Sequence, residues 1–391
     1  SKAGLARSWG SGRIFPTMRS PVGAVLLIGL LLAVRAGAQQ YDLRTFSLEQ
    51  GLPSAAVNAI CEDADGFLWV ATDQGLARSQ GSRFEAFDER QGAPHAEATA
   101  LFPVAPAGGN GLWAGYRSGA LARWNNGRLQ PLKTTPQLPP HPVGTLLAGP
   151  GNTLWLGSLG SGVWLVDTAA LTCTPVNDGL LGLQVNALVS TPDLGLLAGT
   201  DSGLFQLTNH QWRLRWRANQ RPGTGVLSLF ADGMGLLVGT ANGPVELGLD
   251  FRPALPQEHT PTPVDWLRSA ALSILREDGH GVWIGTPNGL LHIDQRKGAP
   301  HHTLIGEANG LGHDVVRCLH RDRSGSIWVG TAFGGVSKFT SEAFLYITER
   351  DGLGSRIVSA VHRTPDGTLW IGTLGGGLSY YDGQRMTHLP P

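Results

Sequence analysis

The stretch VNAICEDADGFLW, residues 57–69, decides the fold because it recurs along the chain without gaps. Five further copies share its apolar start, its turn and its bulky apolar end: VGTLLAGPGNTLW (143–155), VNALVSTPDLGLL (185–197), ALSILREDGHGVW (271–283), VRCLHRDRSGSIW (316–328) and VSAVHRTPDGTLW (358–370). Two weaker copies end at Trp113 and Leu237. Self-similarity at one period indicates an architecture built from a single repeated unit.

The residues that close the eight copies follow one another at intervals of 40 to 46 residues. They are Trp69, Trp113, Trp155, Leu197, Leu237, Trp283, Trp328 and Trp370. A large apolar side chain at a repeated strand position is typical of a core, so we predict that these residues pack between neighbouring repeats. The glycine two positions later, as in Gly285 and Gly330, predicts a close approach of backbones near an axis.

Each repeat has the pattern of four short strands. In the first repeat, an apolar run from Val57 and a turn at Asp63 to Gly66 lead into a strand, Phe67 to Thr72, that is apolar on both faces. Such a strand must be covered from both sides. Frequent Gly and Asp-Gly turns leave no long stretch with helical periodicity. The sequence therefore predicts an all-β fold, a β-propeller of four-stranded blades with eight repeats of about 43 residues.

The number of blades in the ring has two solutions. Candidates for a fourth strand outnumber the repeats by one, because Asp42 to Ser47 precedes the first repeat. We predict that this strand completes the seventh blade, so that residues 39–340 form a seven-bladed ring and residues 341–391 hold an eighth blade that starts a second ring. The alternative is one eight-bladed ring, since an orphan blade would leave an apolar face open.

The N-terminal 38 residues have the features of an export signal. They contain five basic residues and no acidic one, and the apolar run VGAVLLIGLLLAV (22–34) is followed by Ala36-Gly37-Ala38. We predict an upstream extension over 1–17 and a signal peptide cleaved after Ala38, which implies a periplasmic or extracytoplasmic protein. A buried core helix is the alternative. The formal net charge of zero over 391 residues then becomes about −5 for the mature chain, which argues against a nucleic-acid partner.

The combined signature resembles the two-component regulator propeller repeat. It comprises Gly51-Leu52-Pro53-Ser54, the strand from Val57, Asp65-Gly66 and Leu68-Trp69-Val70-Ala71-Thr72. The resemblance implies a periplasmic sensor of a hybrid histidine kinase that is tuned to polysaccharide breakdown products. It also implies two consecutive propellers and a kinase module in cis or in trans, and no catalysis within this segment. The pattern departs at Leu197 and Leu237, and the second repeat lacks the acid of the turn.

A ligand site is predicted from aromatic and arginine residues outside the repeated box. Aromatic rings stack on apolar sugar faces and the guanidinium fork pairs with carboxylates, so the ligand would be an oligosaccharide or another small molecule. The candidates are Tyr116, Trp124, Arg213, Arg215, Arg217 and Trp266. The run Trp212 to Arg217 is equally typical of an amphipathic outer strand with Trp212, Leu214 and Trp216 facing inward.

Enzyme chemistry is the main alternative, because propellers host many functions. The Asp63 to Gly66 turn lacks the further oxygen ligands of a calcium loop and reads better as a hairpin turn. Eight histidines occur in the last third, including His301-His302, but no helical metal motif is present. We expect no cofactor and no metal. A glycoside hydrolase, a metal-dependent lyase and a protein-interaction scaffold remain open as functions, and so does a homodimer.

Overall fold

The structure is a computed structural model that describes residues 43–94, 96–104, 111–125, 127–217, 225–233, 235–253, 269–277, 281–294, 301–339, 349, 352–364, 368–381 and 386–389. The predicted extension and signal peptide, residues 1–38, lie outside this part of the chain, as does the predicted boundary at residue 340. No helix in the described ranges is long and apolar enough to cross a membrane.

Thirty-one strands lie in the described residues and form eight antiparallel sheets. The first strand, β1 (Leu43–Phe46), precedes blade 1. Blades 1 to 4 have four strands each: β2 (Val57–Glu62), β3 (Leu68–Thr72), β4 (Gly75–Gln80) and β5 (Arg83–Phe87); β6 (Ala98–Val104), β7 (Gly111–Tyr116), β8 (Leu121–Asn125) and β9 (Arg128–Pro131); β10 (Val143–Ala148), β11 (Thr153–Ser158), β12 (Gly162–Asp167) and β13 (Thr172–Pro175); β14 (Val185–Thr191), β15 (Gly195–Thr200), β16 (Gly203–Thr208) and β17 (Gln211–Trp216).

Blades 5 to 8 continue the series, and blade 5 has three strands in its described residues. Their strands are β18 (Val226–Asp232), β19 (Gly235–Thr240) and β20 (Gly243–Leu247); β21 (Ser273–Glu277), β22 (Gly281–Thr286), β23 (Gly289–Asp294) and β24 (His301–Ile305); β25 (Val316–Arg321), β26 (Ile327–Thr331) and β27 (Val336–Phe339); β28 (Val358–Arg363), β29 (Leu369–Thr373), β30 (Gly377–Tyr381) and β31 (Met386–Leu389). Short 3₁₀ helices span Leu48–Gln50, Glu89–Gln91 and Glu307–Asn309. The all-β propeller prediction is confirmed.

The N-terminal strand completes blade 7. β1 pairs with β27 in antiparallel register, with Leu43 opposite Phe339 and Phe46 opposite Val336. The innermost strand of each blade from 1 to 7 packs beside that of the next, and β25 of blade 7 packs against β2 of blade 1. In the described residues, seven sheets therefore close a ring through a strand contributed by the start of the chain.

Glycines on the second strands let successive blades approach each other. A Cβ added to Gly330 would lie 2.6 Å from Val57 Cγ1, and one added to Gly285 would lie 2.6 Å from Val316 Cγ1. The close approach predicted at these glycines is thus to a valine side chain of the next blade, not to its backbone. In blade 8 the equivalent Gly372 has only atoms of its own blade nearby, the nearest at 3.5 Å. Blade 8 consequently has no neighbour on this side in the described chain.

The second residue of several inner strands lies in a β-bulge and has no partner in the strand register. Side chains at these positions form hydrogen bonds to the neighbouring blade. Asn58 Nδ2 donates to the Ala98 carbonyl at 2.9 Å, and Thr99 Oγ1 donates to the Val143 carbonyl at 2.7 Å. Across the closure, Arg317 Nη1 donates to Asn58 Oδ1 at 2.8 Å. These bonds tie neighbouring blades together near the axis.

Candidate functional site

Two aspartates organise the first turns of blades 1 and 7. Asp63 is 4% exposed, and its Oδ1 accepts backbone N–H groups of Asp65 at 3.0 Å and Phe67 at 2.9 Å. Its Oδ2 accepts Trp69 Nε1 at 2.7 Å. Each oxygen is therefore occupied within its own hairpin, in agreement with a structural turn rather than a cation loop.

Asp322 repeats this arrangement in blade 7. Its Oδ1 accepts the Ser326 N–H at 2.9 Å and its Oδ2 accepts Trp328 Nε1 at 2.8 Å. Burial alone would raise the pKa of Asp322, but hydrogen bonds from Ser324, Trp328 and Ser326, together with Lys338, hold that pKa below its ordinary value. The turn carboxylate stays charged and faces the lysine of the third strand, whose Nζ is 3.7 Å away.

A first cavity, the blade 1–2 groove, has a volume of about 390 Å³. Its lining includes Asp63, Asp65, Arg78, Glu85, Phe87 and Trp124. The volume lies at the lower end of the range for small-ligand sites, which is about 300–1,000 Å³.

Aromatic rings surround the arginine of this groove. The Arg78 guanidinium carbon lies 4.7 Å from the ring centroid of Phe67, 5.3 Å from that of Trp124, 5.6 Å from that of Trp69 and 5.8 Å from that of Phe87. Phe87 and Trp124 are only 6% and 9% exposed. Arg78 therefore covers the ring faces that a ligand would need, and these contacts stabilise the wedge between blades.

A second cavity, the closure groove, has a volume of about 360 Å³ and lies where the ring closes. Blade 7 contributes Arg44 and Phe46 of β1 together with Asp322, Trp328 and Lys338, and blade 1 contributes Glu62, Phe67 and Ser79. Phe67 is 38% exposed, whereas Trp328 and Phe46 are buried. The groove thus offers the partly exposed ring of Phe67 and cations from two adjacent strands.

Next to the closure groove, Arg323 of blade 7 forms hydrogen bonds to blade 1. Its backbone N–H donates to Glu62 Oε2 at 2.8 Å, while Nη1 donates to the Ala64 carbonyl and Nη2 to the Asp63 carbonyl, each at 2.8 Å. The guanidinium of blade 7 therefore clasps the first turn of blade 1. Glu62 is engaged in this clasp and contributes little free negative charge to the groove.

A buried imidazole lies next to this seam. His320 stands opposite Trp328 in the register of β25 and β26, and its Nε2 is buried with no hydrogen-bond partner among the described residues. Burial lowers the pKa of His320 from 6.5 to about 4, although nearby Asp322 acts in the opposite direction. The ring is therefore neutral at pH 7.

The structure separates the sequence-predicted ligand residues instead of gathering them. Tyr116 and Trp124 lie in strands β7 and β8 and are buried, and their role in ligand binding stays a prediction. Burial raises the pKa of Tyr116. Trp124 lines the blade 1–2 groove and is 9% exposed. Trp266 lies outside the described residues.

The three candidate arginines of blade 4 belong to an outer strand or its end. β17 has Trp212 buried and Arg213 and Arg215 exposed, as an amphipathic strand requires, but Leu214 is 41% exposed rather than packed inward. Arg215 Nε donates to Gln206 Oε1 at 2.6 Å, and Arg217 Nε donates to the Ser202 carbonyl at 3.1 Å. Their role in ligand binding stays a prediction.

The repeated box residues of blades 1 to 7 pack against the next blade, whereas Trp370 contacts Tyr380 of its own blade. Trp69 and Leu197 are fully buried, and the others range from buried to half-buried; the latter are Trp155 and Trp370. In the described ranges no group of three or more His, Cys, Asp or Glu side chains could hold a metal ion. His280 and the side chain of His301 lie outside those ranges. Cys61, Cys173 and Cys318 are free thiols.

The sequence prediction missed both grooves, although a signal for them was present. In three blades a cation follows the box tryptophan nine or ten positions later, as Arg78, Arg123 and Lys338. Each stands opposite its tryptophan in the strand register. A search for charge at a constant distance from the repeated aromatic residue would have found these residues.

The comparisons with known proteins agree with this architecture. The two component regulator propeller family matches residues 51–74, 310–333 and 352–375, which confirms that the chain carries repeats of this kind. These segments enter the inner strands of blades 1, 7 and 8. No curated protein sequence matches the chain at a significant level.

Several solved structures share the fold. The extracellular domain assigned to the hybrid two component system BT3049 of B. thetaiotaomicron superposes with a TM-score of 0.64 at 22% identity, over 89% of this chain and 49% of that one. The extracellular domain assigned to the one component system BT4673 of the same organism gives 0.64 at 18% identity, over 90% and 47%. Streptogramin B lyase gives 0.61 at 16% identity, over 77% and 97%. The chain thus spans about half the length of the two sensor domains, and the likeness shows a propeller fold.

Proposed function

From its two-component regulator propeller repeats, we propose that this protein is the extracytoplasmic ligand-sensing part of a two-component signalling system. The observation that carries the proposal is the match of three repeats to that family, two of which form the blades on either side of the ring closure. The fold shared with extracellular domains of such systems supports it. The ring would bind an oligosaccharide without catalysing a reaction on it, after export by the N-terminal signal.

The eighth blade supports the proposal that a second ring belongs to the sensor. Every residue of its inner strand, Val358–Arg363, is exposed, including Val361 at 59% and Val358 at 46%. In blades 1 to 5 and in blade 7 the first residue of the inner strand is completely buried. A further blade against β28 would cover these apolar residues, as the partition into 39–340 and 341–391 requires.

Signal transfer would follow from binding. A ligand that binds one arrangement of the sensor more tightly shifts the population toward it, and a histidine kinase module in cis or in trans would respond to that shift. Calorimetric titration of the protein with neutral and acidic glycan trimers tests the proposal. We expect saturable binding of at least one trimer, and an absence of binding across the panel would contradict it.

A further inference from the structure

Two cations face each other across adjacent strands in the closure groove. Arg44 of β1 stands directly opposite Lys338 of β27, and both line the cavity of about 360 Å³. Like charges at directly opposed positions destabilise an antiparallel pair. Lys338 has Asp322 at 3.7 Å, whereas Arg44 has no carboxylate within ion-pair distance among the described residues. An anion between the two strands would remove the repulsion.

The other blades show that this pair is not a requirement of the fold. The same two register positions hold Arg78 opposite Glu85, which form an ion pair at 3.6 Å, and Arg123 opposite the neutral Gln130. In the remaining described pairs at most one partner carries a full positive charge: Leu165 and Thr174, Gln206 and Arg213, His292 and Thr303, Tyr380 and Thr387. The closure blade alone among these places an arginine opposite a lysine.

The other residues that line the closure groove indicate the chemical class of the molecule that carries the anion. Phe67 lines the groove and is 38% exposed, with Arg78 4.7 Å from its ring centroid, and Ser79 also lines the groove. An aromatic face fits the apolar face of a sugar ring, and a guanidinium fork fits a carboxylate. We propose that the closure groove binds an acidic oligosaccharide, with the carboxylate of a uronate between Arg44 and Lys338 and the sugar ring against Phe67. This inference rests on the proposed function.

Such a ligand would contact three segments that are distant in sequence. Arg44 belongs to the first strand, Lys338 to the last strand of the ring and Phe67 to blade 1. Binding would therefore stabilise the closure itself, because the bound state requires β1 to remain paired with β27. Protection of the β1 amides from hydrogen exchange that exceeds the protection of the other blades is the readout that distinguishes this groove from a site elsewhere on the ring.

The test compares trigalacturonic acid with the neutral trimer maltotriose on the full chain. Arg44→Glu removes the anion site and creates a pair of opposite charge like that of Arg78 and Glu85, so we expect its ligand-free Tm to rise by about 1 °C. Arg128→Glu, on the exposed outer strand of blade 2, makes the same charge change away from the groove. We expect trigalacturonic acid to protect Leu43–Phe46 in the wild type and in R128E, and to bind R44E about tenfold more weakly or worse.

The outcomes separate the two proposals. Loss of binding and of β1 protection in R44E, with both retained in R128E, supports the site. Equal binding of trigalacturonic acid to R44E and the wild type overturns the site and leaves the sensor proposal standing. Binding of maltotriose alone overturns the acidic ligand but supports an oligosaccharide sensor, whereas binding of neither trimer counts against both.

Discussion

The contact of Gly330 with blade 1 yields the most direct test of ring closure. A Cβ at Gly330 would lie 2.6 Å from Val57 Cγ1 and 2.4 Å from Cys318 Sγ. The Val57 side chain is fully buried and has a restricted χ1, so it cannot move away freely. Overpacking of this kind costs about 1–3 kcal/mol, and we expect Gly330→Ala to lower Tm by about 2–6 °C.

Blades 1 and 2 show which second substitution should restore the stability lost in Gly330→Ala. In blade 1 the residue equivalent to Gly330 is Ala71, and it packs in one cluster with Ala98, which takes the place of the valine at the start of the next inner strand. The double variant G330A/V57A reproduces this pair of alanines at the closure. We therefore expect it to be more stable than the sum of the two single variants by about 1 kcal/mol or more.

Urea or thermal unfolding followed by far-ultraviolet circular dichroism measures these differences. Gly372→Ala is the matched control, because the same position in blade 8 has no heavy atom closer than 3.5 Å to the added Cβ. Its free energy of unfolding should change by no more than about 0.5 kcal/mol. The account of closure would be refuted by equal losses in G330A and G372A, or by strict additivity of G330A and V57A.

Three further outcomes follow from the seam between blades 7 and 1. His320 is neutral when folded and its pKa is lowered to about 4, so stability is full above pH 6.5 and falls as the pH drops toward 4. The free energy of unfolding should fall by about 3 kcal/mol over this pH range. His320→Leu should reduce the slope of Tm against pH between pH 6.5 and 4, and an unchanged slope would contradict a lowered pKa of His320. Asp63→Asn leaves a single acceptor oxygen, so either Trp69 Nε1 or the N–H groups of Asp65 and Phe67 lose their acceptor, and the free energy of unfolding in urea should fall by about 2 kcal/mol; an unchanged value would contradict a stabilising role of these hydrogen bonds. Arg323→Ala removes the bonds to the Asp63 and Ala64 carbonyls and should speed amide exchange in the first turn of blade 1, with little change elsewhere; unchanged exchange there would argue against the clasp.

Much of the fold could be predicted from the sequence because each repeat contains residues that mark where its strands begin and end. The apolar start, the Asp-Gly turn and the Trp of each box mark two strands and the turn between them, and the spacing fixes the size of a blade. The sequence favours the closure of a seven-bladed ring by the first strand, but an eight-bladed ring gives the same local pattern and stays open as the alternative. The choice depends on contacts such as Gly330 with Val57, which join positions at opposite ends of the ring.

The site was harder to predict for a physical reason. Residue type predicts aromatic and arginine side chains as ligand contacts, yet Trp124 lies against Arg78 in the wedge between blades and Tyr116 is completely buried. Residue type does not distinguish a side chain that packs from one that binds. The grooves arise from register across strands and between blades, and the pairing of Arg44 with Lys338 becomes visible only once β1 is placed beside β27.

The closure by β1 also has a consequence for how the chain folds. Arg44 pairs with a residue about 290 positions later, so the ring has a contact that far exceeds the local hairpins in sequence separation. Blades 1 to 6 can form as each is synthesised, but the edge of β27 remains unpaired until the first strand reaches it, and slow long-range pairing exposes such edges to aggregation. Closure is therefore expected to be a late step in folding, and a fragment that lacks either β1 or blade 7 should behave as an open, association-prone arc.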